Sequence, residues 1–197
     1  MKSIRRPAGK NKEAIPDLSR RPHRIHLEQF VEVEGFSRIK LRAIELADEG
    51  KMIDFHLHLS PRSIFLRYFG YIGLDRRTSH ERLIRVCTNT AEVYSIVMEQ
   101  PAHPGTSVKI LAVGRLIKTP EPQVAMFDIL IGNEADIPKL ATILLNRLIK
   151  LGQSFRFQIL AGKLLGIDED AIKLCRSLGF AEQNSGEEGV VQVVLKL

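Results

Sequence analysis

Residues 123–152, QVAMFDILIGNEADIPKLATILLNRLIKLG, commit the chain to a strand, a tight turn and a long helix in immediate succession. Residues 127–131 form an apolar run of strand length, with the β-branched and aromatic types that suit a sheet. Beyond the turn, Ile137, Leu140, Leu144, Leu148 and Leu151 recur at spacings of three and four, which is one face of a buried helix. Gly152 stands where a helix end favours a residue free to take positive φ. A strand feeding directly into such a helix aims the first N–H groups of the helix at a cleft, and that end attracts anions. Asp136 is a good N-cap type, Pro138 suits the first turn but donates no N–H, and Lys139 adds a positive charge. A unit charge ~6 Å from an anion at an effective dielectric of ~20 is worth roughly 2–3 kcal/mol, so Asp136 and Lys139 pull in opposite directions. An ordinary capped core helix is the alternative reading of the same residues.

Around this unit the pattern alternates between strands and helices. Residues 30–34 and 38–44 read as two strands flanking Gly35, the second with Ile39, Leu41 and Ala43 inward and Lys40 and Arg42 outward. A helix opened near Asp48 follows, supported by Leu46, Ile53 and Leu57. Ser60-Pro61 marks another helix start. Thr78 and Glu81 have capping-box spacing for a third helix. Strands over 92–99 and 108–118 lead into the central strand as a meander. After Gly152 come a strand over 155–160, a helix from Asp168 to Gly179, and a buried strand over 189–197.

All the net charge of +6 lies in residues 1–26, where eight Lys or Arg face two acidic residues. With Pro7, Pro16 and Pro22, this segment reads as a mobile or loosely docked tail ahead of one domain over residues 27–197. The tail supports only non-specific contact with nucleic acid, since it lacks aromatic interleaving. No apolar run reaches the ~18–20 residues of a membrane span, and no apolar core follows the basic start, so neither a span nor a secretory signal is expected. Cys87 and Cys175 alone make no disulfide framework, and a reducing cytoplasm is the expected compartment.

Four segments carry a family resemblance: IKLRAIELADEG from Ile39, LSPRSIFLRYFG from Leu59, HERL from His80 and DAIKLCRSLGF from Asp170. From about Phe36 to Glu182 the chain resembles the GNAT superfamily of acyl-CoA N-acyltransferases, in particular the GNAT domain of bacterial protein lysine acetyltransferases. The resemblance implies an α/β fold with a mixed, mostly antiparallel central sheet flanked by helices. It implies acetyl-CoA as acyl donor, no metal, and an amine acceptor, either a protein lysine or a small molecule. In the family the central strand pairs with the pantetheine arm, which falls here on Ile129, Leu130 and Ile131. A Gln/Arg-x-x-Gly-x-Gly/Ala turn wraps the pyrophosphate, and it falls here on Asp136, Ile137, Lys139, Leu140, Ala141 and Thr142. Asp136 stands at the Gln/Arg position and Lys139 at the first Gly; Ala141 keeps the small residue.

The resemblance also implies chemistry. A Glu on the central strand is the usual base; Met126 occupies that position, and Asp128, two residues on and on the same strand face, is the substitute candidate. Cys175 stands where many relatives carry a Tyr acid in the last helix, and Asp168 where the branch has an Asn opening that helix. A solvated or salt-bridged Asp, a core cysteine and a simple cap are the structural alternatives for these three. His56 and His58, at i and i+2, do not share a helix face and make no metal pair. Phe65, Tyr68, Phe69 and Tyr71 read first as core and second as the wall of an acceptor pocket. Two functions stay open: an acetyltransferase with a divergent cofactor turn, or a non-catalytic GNAT-like module that senses a ligand or binds a partner.

Overall fold

The computed structural model describes residues 17–18, 28–33, 36–102, 104–132 and 137–197. Its sheet has eight strands: β1 (Gln29–Val33), β2 (Phe36–Ala43), β3 (Val93–Gln100), β4 (Lys109–Lys118), β5 (Val124–Ile131), β6 (Ile159–Leu165), β7 (Ala181–Asn184) and β8 (Val190–Lys196). They lie in the order β1-β2-β3-β4-β5-β6-β8-β7. Every neighbouring pair is antiparallel except β5 and β6. That is the mixed, mostly antiparallel sheet that the family resemblance implies.

Helices cover both faces. α1 (Glu49–Leu57), α2 (Pro61–Tyr68), α3 (Leu74–Arg77) and α4 (His80–Val86) share one face, around a core that includes Met52, Phe55, Ile64, Leu83, Val97, Val113 and Leu130. α5 (Ile137–Ser154) and α6 (Glu169–Ser177) share the other, where Leu140, Leu144, Leu148 and Leu151 bury against Ile96, Leu116 and Phe127. Leu18, from within the basic N-terminal stretch, is fully buried in this second core, and its N–H donates to the Ala91 carbonyl at 3.2 Å. Most of residues 1–26 lie outside the described residues.

Several local readings are corrected by tertiary packing. α5 does not end at Gly152 but runs on to Ser154; a Cβ on Gly152 would meet Leu197 at 2.7 Å, so this glycine makes room for the chain's last residue. The left-handed conformation falls instead on Arg156, with φ 64°, and the next strand starts at Ile159. α1 buries Met52, Phe55 and His56, while Leu46 and Leu57 are exposed. Ser79, not Thr78, is the N-cap of α4; the Thr78 hydroxyl donates back to the Leu74 carbonyl at 2.9 Å. β8, expected as a buried strand, is mostly half-buried and forms a hairpin with β7, a strand the sequence pattern did not show. The Ser60 cap of α2 is as expected, its hydroxyl accepting from Ser63 N–H at 2.9 Å.

Arg42 is the largest departure. Read as an outward residue of β2, it is only 8 % exposed. A 3-10 turn (Leu46–Asp48) and α1 cover that face of the strand, and Arg42 meets Asp48 in a two-pronged ion pair at 2.6 and 2.7 Å. It also donates to Glu99, and Lys51 reaches Asp48 at 2.9 Å and Glu99 at 3.2 Å.

Candidate functional site

The parallel ladder between β5 and β6 holds for three pairs only, Val124–Ile159, Ala125–Leu160 and Met126–Ala161. Past it, β5 continues to Ile131 beside β4, and β6 continues to Leu165 beside β8. The next residues in register, Phe127 and Gly162, show what stands at the fork. A Cβ on Gly162 would meet the Phe127 ring at 2.5 Å, so the ring occupies the space that side chain would need. It packs edge-on against Phe180, 5.4 Å between centroids. Beyond this point no ladder joins β5 to β6 among the described residues, and the sheet is open between them.

Main-chain direction alternates along a strand, and two bonds fix it here. The Val124 carbonyl accepts from Thr119 N–H and the Gly132 N–H donates to the Leu111 carbonyl, both toward β4. Even-numbered residues of β5 therefore turn their main chain to β4, and Phe127, Ile129 and Ile131 turn theirs to the open side. Of the residues expected to hold a pantetheine arm, Ile129 and Ile131 present amide groups to the opening. Leu130 does not; its side chain is buried in the α1–α4 core.

α5 starts at the mouth of this opening. Asp136 lies outside the described residues. Ile137 is 45 % exposed and Lys139 is exposed, while Leu140 is fully buried, so Leu140 contributes main chain alone to any ligand. Ala141 is half-buried, and the Thr142 hydroxyl donates to the Pro138 carbonyl at 2.7 Å. The first N–H groups of a helix have no partner within it, Pro138 excepted because it has none to offer.

The other face of the opening is crossed by α2, which packs against both β5 and β6. Asp128 points to this side. It accepts from Arg67 of α2 and lies 3.7 Å from Arg115, its cross-strand neighbour on β4. Two guanidiniums lie over the Tyr68 ring, Arg67 at 5.1 Å and Arg82 of α4 at 5.3 Å from its centroid. The Nε atoms of Arg82 and Arg115 are buried with no hydrogen-bond partner among the described residues. His56, 3 % exposed, lies close by, and its Nδ1 is likewise without a partner. Burial, with the positive field of Arg77, Arg82 and Arg67, pushes its imidazole down to about 4.

That shift carries a pH dependence. His56 is neutral in the folded chain and titrates near ~6.5 when unfolded, so the unfolded state binds the extra proton between these values. Its contribution is fully present above ~6.5 and is lost as pH falls toward about 4, at a cost of up to ~3 kcal/mol. Denaturant titrations between about pH 7 and pH 4 should show this slope, and His56→Leu should flatten it. An equal slope in the variant would assign the effect to other groups.

The remaining candidates are placed as follows. Asp168 is the N-cap of α6, accepting from Ala171 N–H at 3.4 Å, and burial pushes its carboxyl up. Cys175 lies 2 % exposed within the α5–α6 core, and burial pushes its thiol up to about 12. It is enclosed by apolar side chains and is a weaker acid than a free thiol, which removes the exposure a proton donor needs. Neither cysteine is paired. Tyr68 packs against the α1–α4 core, but Phe69 is 39 % and Tyr71 77 % exposed, so core packing does not describe these two. Arg67, Arg82 and Arg115 were not picked out from the sequence, and His56 was weighed there only as half of a metal pair. Arg115 and Asp128 did leave a signal, each being a lone charge inside an apolar strand.

A separate groove of about 390 Å³ lies at the opposite end of β5, lined by Glu92, Lys118, Thr119, Glu121, Gln123 and Phe157 among others. None of the expected site residues reaches it. Among the described residues, no group of three or more His, Cys, Asp or Glu is placed to hold a metal ion, and no helix is long and apolar enough to cross a membrane.

The chain matches no protein-family model. In three dimensions it is similar to the GNAT domain of PAT from S. lividans, with a TM-score of 0.75 and 19 % identity over 87 % of this chain and 98 % of that one. It is similar to the PaiA N-acetyltransferase of Thermoplasma acidophilum, solved in complex with coenzyme A: TM-score 0.62, 12 % identity, 81 % and 99 % coverage. A GNAT-family acetyltransferase from Streptococcus pneumoniae gives 0.58 and 16 % over 81 % and 99 %. The architecture is the GNAT fold.

Proposed function

We propose that the chain is an acyl-CoA-dependent N-acetyltransferase that takes acetyl-CoA in the opening between β5 and β6. The observation that carries this reading is the open main-chain edge of β5. Past Met126–Ala161, Ile129 and Ile131 turn peptide groups to a gap that leads to the first turn of α5. Buried or half-buried peptide groups require partners, and the amides of a pantetheine arm supply them in strand-like register. Lys139 and the first-turn N–H groups favour the phosphates. Lys139 in place of glycine keeps the backbone from approaching as closely as in the family pattern, so weaker diphosphate binding is expected.

The donor supplies an activated thioester carbonyl. Asp128 stands on the α2 side of the same opening and takes one proton from the acceptor ammonium, directly or through a water. The freed amine forms the C–N bond as the C–S bond breaks, and the amine's second proton ends on the departing thiol. Asp128 returns its proton to water.

A thermal-shift titration with acetyl-CoA, with free CoA and adenosine 3′,5′-bisphosphate alongside, tests the donor. Ligand at 100 times its dissociation constant adds ~2.7 kcal/mol, and each kcal/mol raises the melting temperature of a chain this size by about 2–4 °C. A saturable rise is expected, reduced in Lys139→Glu. No shift at millimolar acetyl-CoA would leave the GNAT fold serving a non-catalytic ligand-sensing or interaction role.

A further inference from the structure

We infer that the acceptor is an amino-acid-like amine, one whose carrier holds a carboxylate that the Arg67–Arg82–Arg115 cluster receives. This deepens the acetyl-transfer reading and rests on it for the position of the reacting amine. Three guanidiniums gather on the α2 side of the opening: Arg67 and Arg115 meet Asp128, and Arg82 shares the Tyr68 ring with Arg67. Arg67, Arg115 and Asp128 keep about a fifth of their side-chain surface open to solvent, so they line the opening and are not sealed beneath it. The fourth arginine nearby, Arg77, is engaged elsewhere, donating to the carbonyls of Ile72 at 3.0 Å and His56 at 2.9 Å. Arg62, further along α2, acts on Asp168.

Each guanidinium has five N–H donors, and one carboxylate cannot satisfy three such groups. The buried, unpartnered Nε atoms of Arg82 and Arg115 mark the shortfall, and His56 stays neutral and adds no negative charge. Arg67 and Arg82 both lie over the Tyr68 ring, at 5.1 and 5.3 Å from its centroid, a contact that restrains them before any ligand arrives. Planar guanidiniums recognise carboxylates by paired hydrogen bonds. A substrate carboxylate entering here competes with Asp128 for Arg67. Asp128, relieved of that partner, is then available to the ammonium of the same substrate. One constellation thus reads both ends of an amino acid: guanidiniums for its carboxylate and Asp128 for its amine.

Matched amines with and without the carboxylate test the inference: L-lysine against cadaverine, and L-phenylalanine against phenethylamine. Binding to the full chain is measured calorimetrically without acyl donor, and thiol release is measured with acetyl-CoA. The carboxylated member of at least one pair is expected to bind about 10–100-fold more tightly. Arg82→Gln, which leaves the Asp128–Arg67 pair in place, should reduce that preference, and Arg67→Met should abolish it. Equal binding within both pairs, tighter binding of the decarboxylated members, or no binding of either at millimolar concentration would overturn the inference. An acetyl-CoA shift without discrimination removes this inference and leaves acetyl transfer standing. Discrimination without an acetyl-CoA shift removes acetyl transfer and leaves a carboxylate-binding GNAT-fold module.

Discussion

Arg42→Met is expected to destabilise the chain by about 3–5 kcal/mol at neutral pH, the range for removing one partner of a buried ion pair. Methionine matches the stem of the side chain, so the loss is electrostatic and not a cavity. Asp48 is 2 % exposed, and burial alone would raise its carboxyl; hydrogen bonds from Arg42, the Glu45 N–H and Lys51 instead hold it at about 2. Glu99 is held below the usual carboxylate range in the same way, against burial, chiefly by Arg42. In the variant, Lys51 alone faces two carboxylates. They then favour the protonated form, so the difference in stability between parent and variant should shrink as pH falls through ~4. Chemical denaturation of both proteins at pH 7 and near pH 4 measures this. A triple variant, Arg42→Met with Asp48→Asn and Glu99→Gln, should recover part of the loss. A loss independent of pH and not relieved by the triple change would assign Arg42 a packing role only.

Asp128→Asn is expected to lower kcat for acetyl transfer by about 10²–10⁴-fold, the range for losing a general base. Binding of acetyl-CoA should change little. The Asp128 side chain lies toward α2 and its main chain toward β4, whereas the proposed donor site is the main chain of Ile129 and Ile131. Asparagine keeps an oxygen that accepts from Arg67, so the fold around α2 is retained, and a melting curve controls for it. Steady-state rates at saturating acceptor, with the acetyl-CoA dissociation constant measured in parallel, separate the two effects. A kcat within a fewfold of the parent would place the proton transfer on another group or on water.

Sequence periodicity carried the strand–turn–helix unit because its burial is one-sided. Leu140, Leu144, Leu148 and Leu151 face one core from one helix, and that spacing is visible without knowing the partner surface. The Ser60-Pro61 start and the Asp168 cap were legible because capping bonds are local in sequence. Arg42 and β7 were not. Whether a charged residue on an alternating strand meets solvent depends on what covers that face. Asp48 and Lys51 come close in sequence, but Glu99 comes from 57 residues away. The four-residue β7 is entirely exposed and carries no apolar alternation to detect.

The site divides along the same line. The main-chain groups of Ile129 and Ile131 follow from a strand placed before a helix, and the GNAT-like segments pointed to that strand from sequence alone. The guanidinium cluster follows from tertiary structure. Arg67, Arg82 and Arg115 sit on a helix, another helix and a strand; the β4–β5 register sets Arg115 beside Asp128, and the packing of α2 brings Arg67 to the same carboxylate and to the Tyr68 ring that Arg82 shares. Local hydrogen bonding and one-sided burial are written into short stretches of chain, so the central strand–turn–helix unit, the Ser60 and Asp168 caps and the strand that borders the opening were legible there. Electrostatic partnerships act through space between residues far apart in the chain, so the buried Arg42 network and the guanidiniums on the α2 side of the opening were decided by the fold.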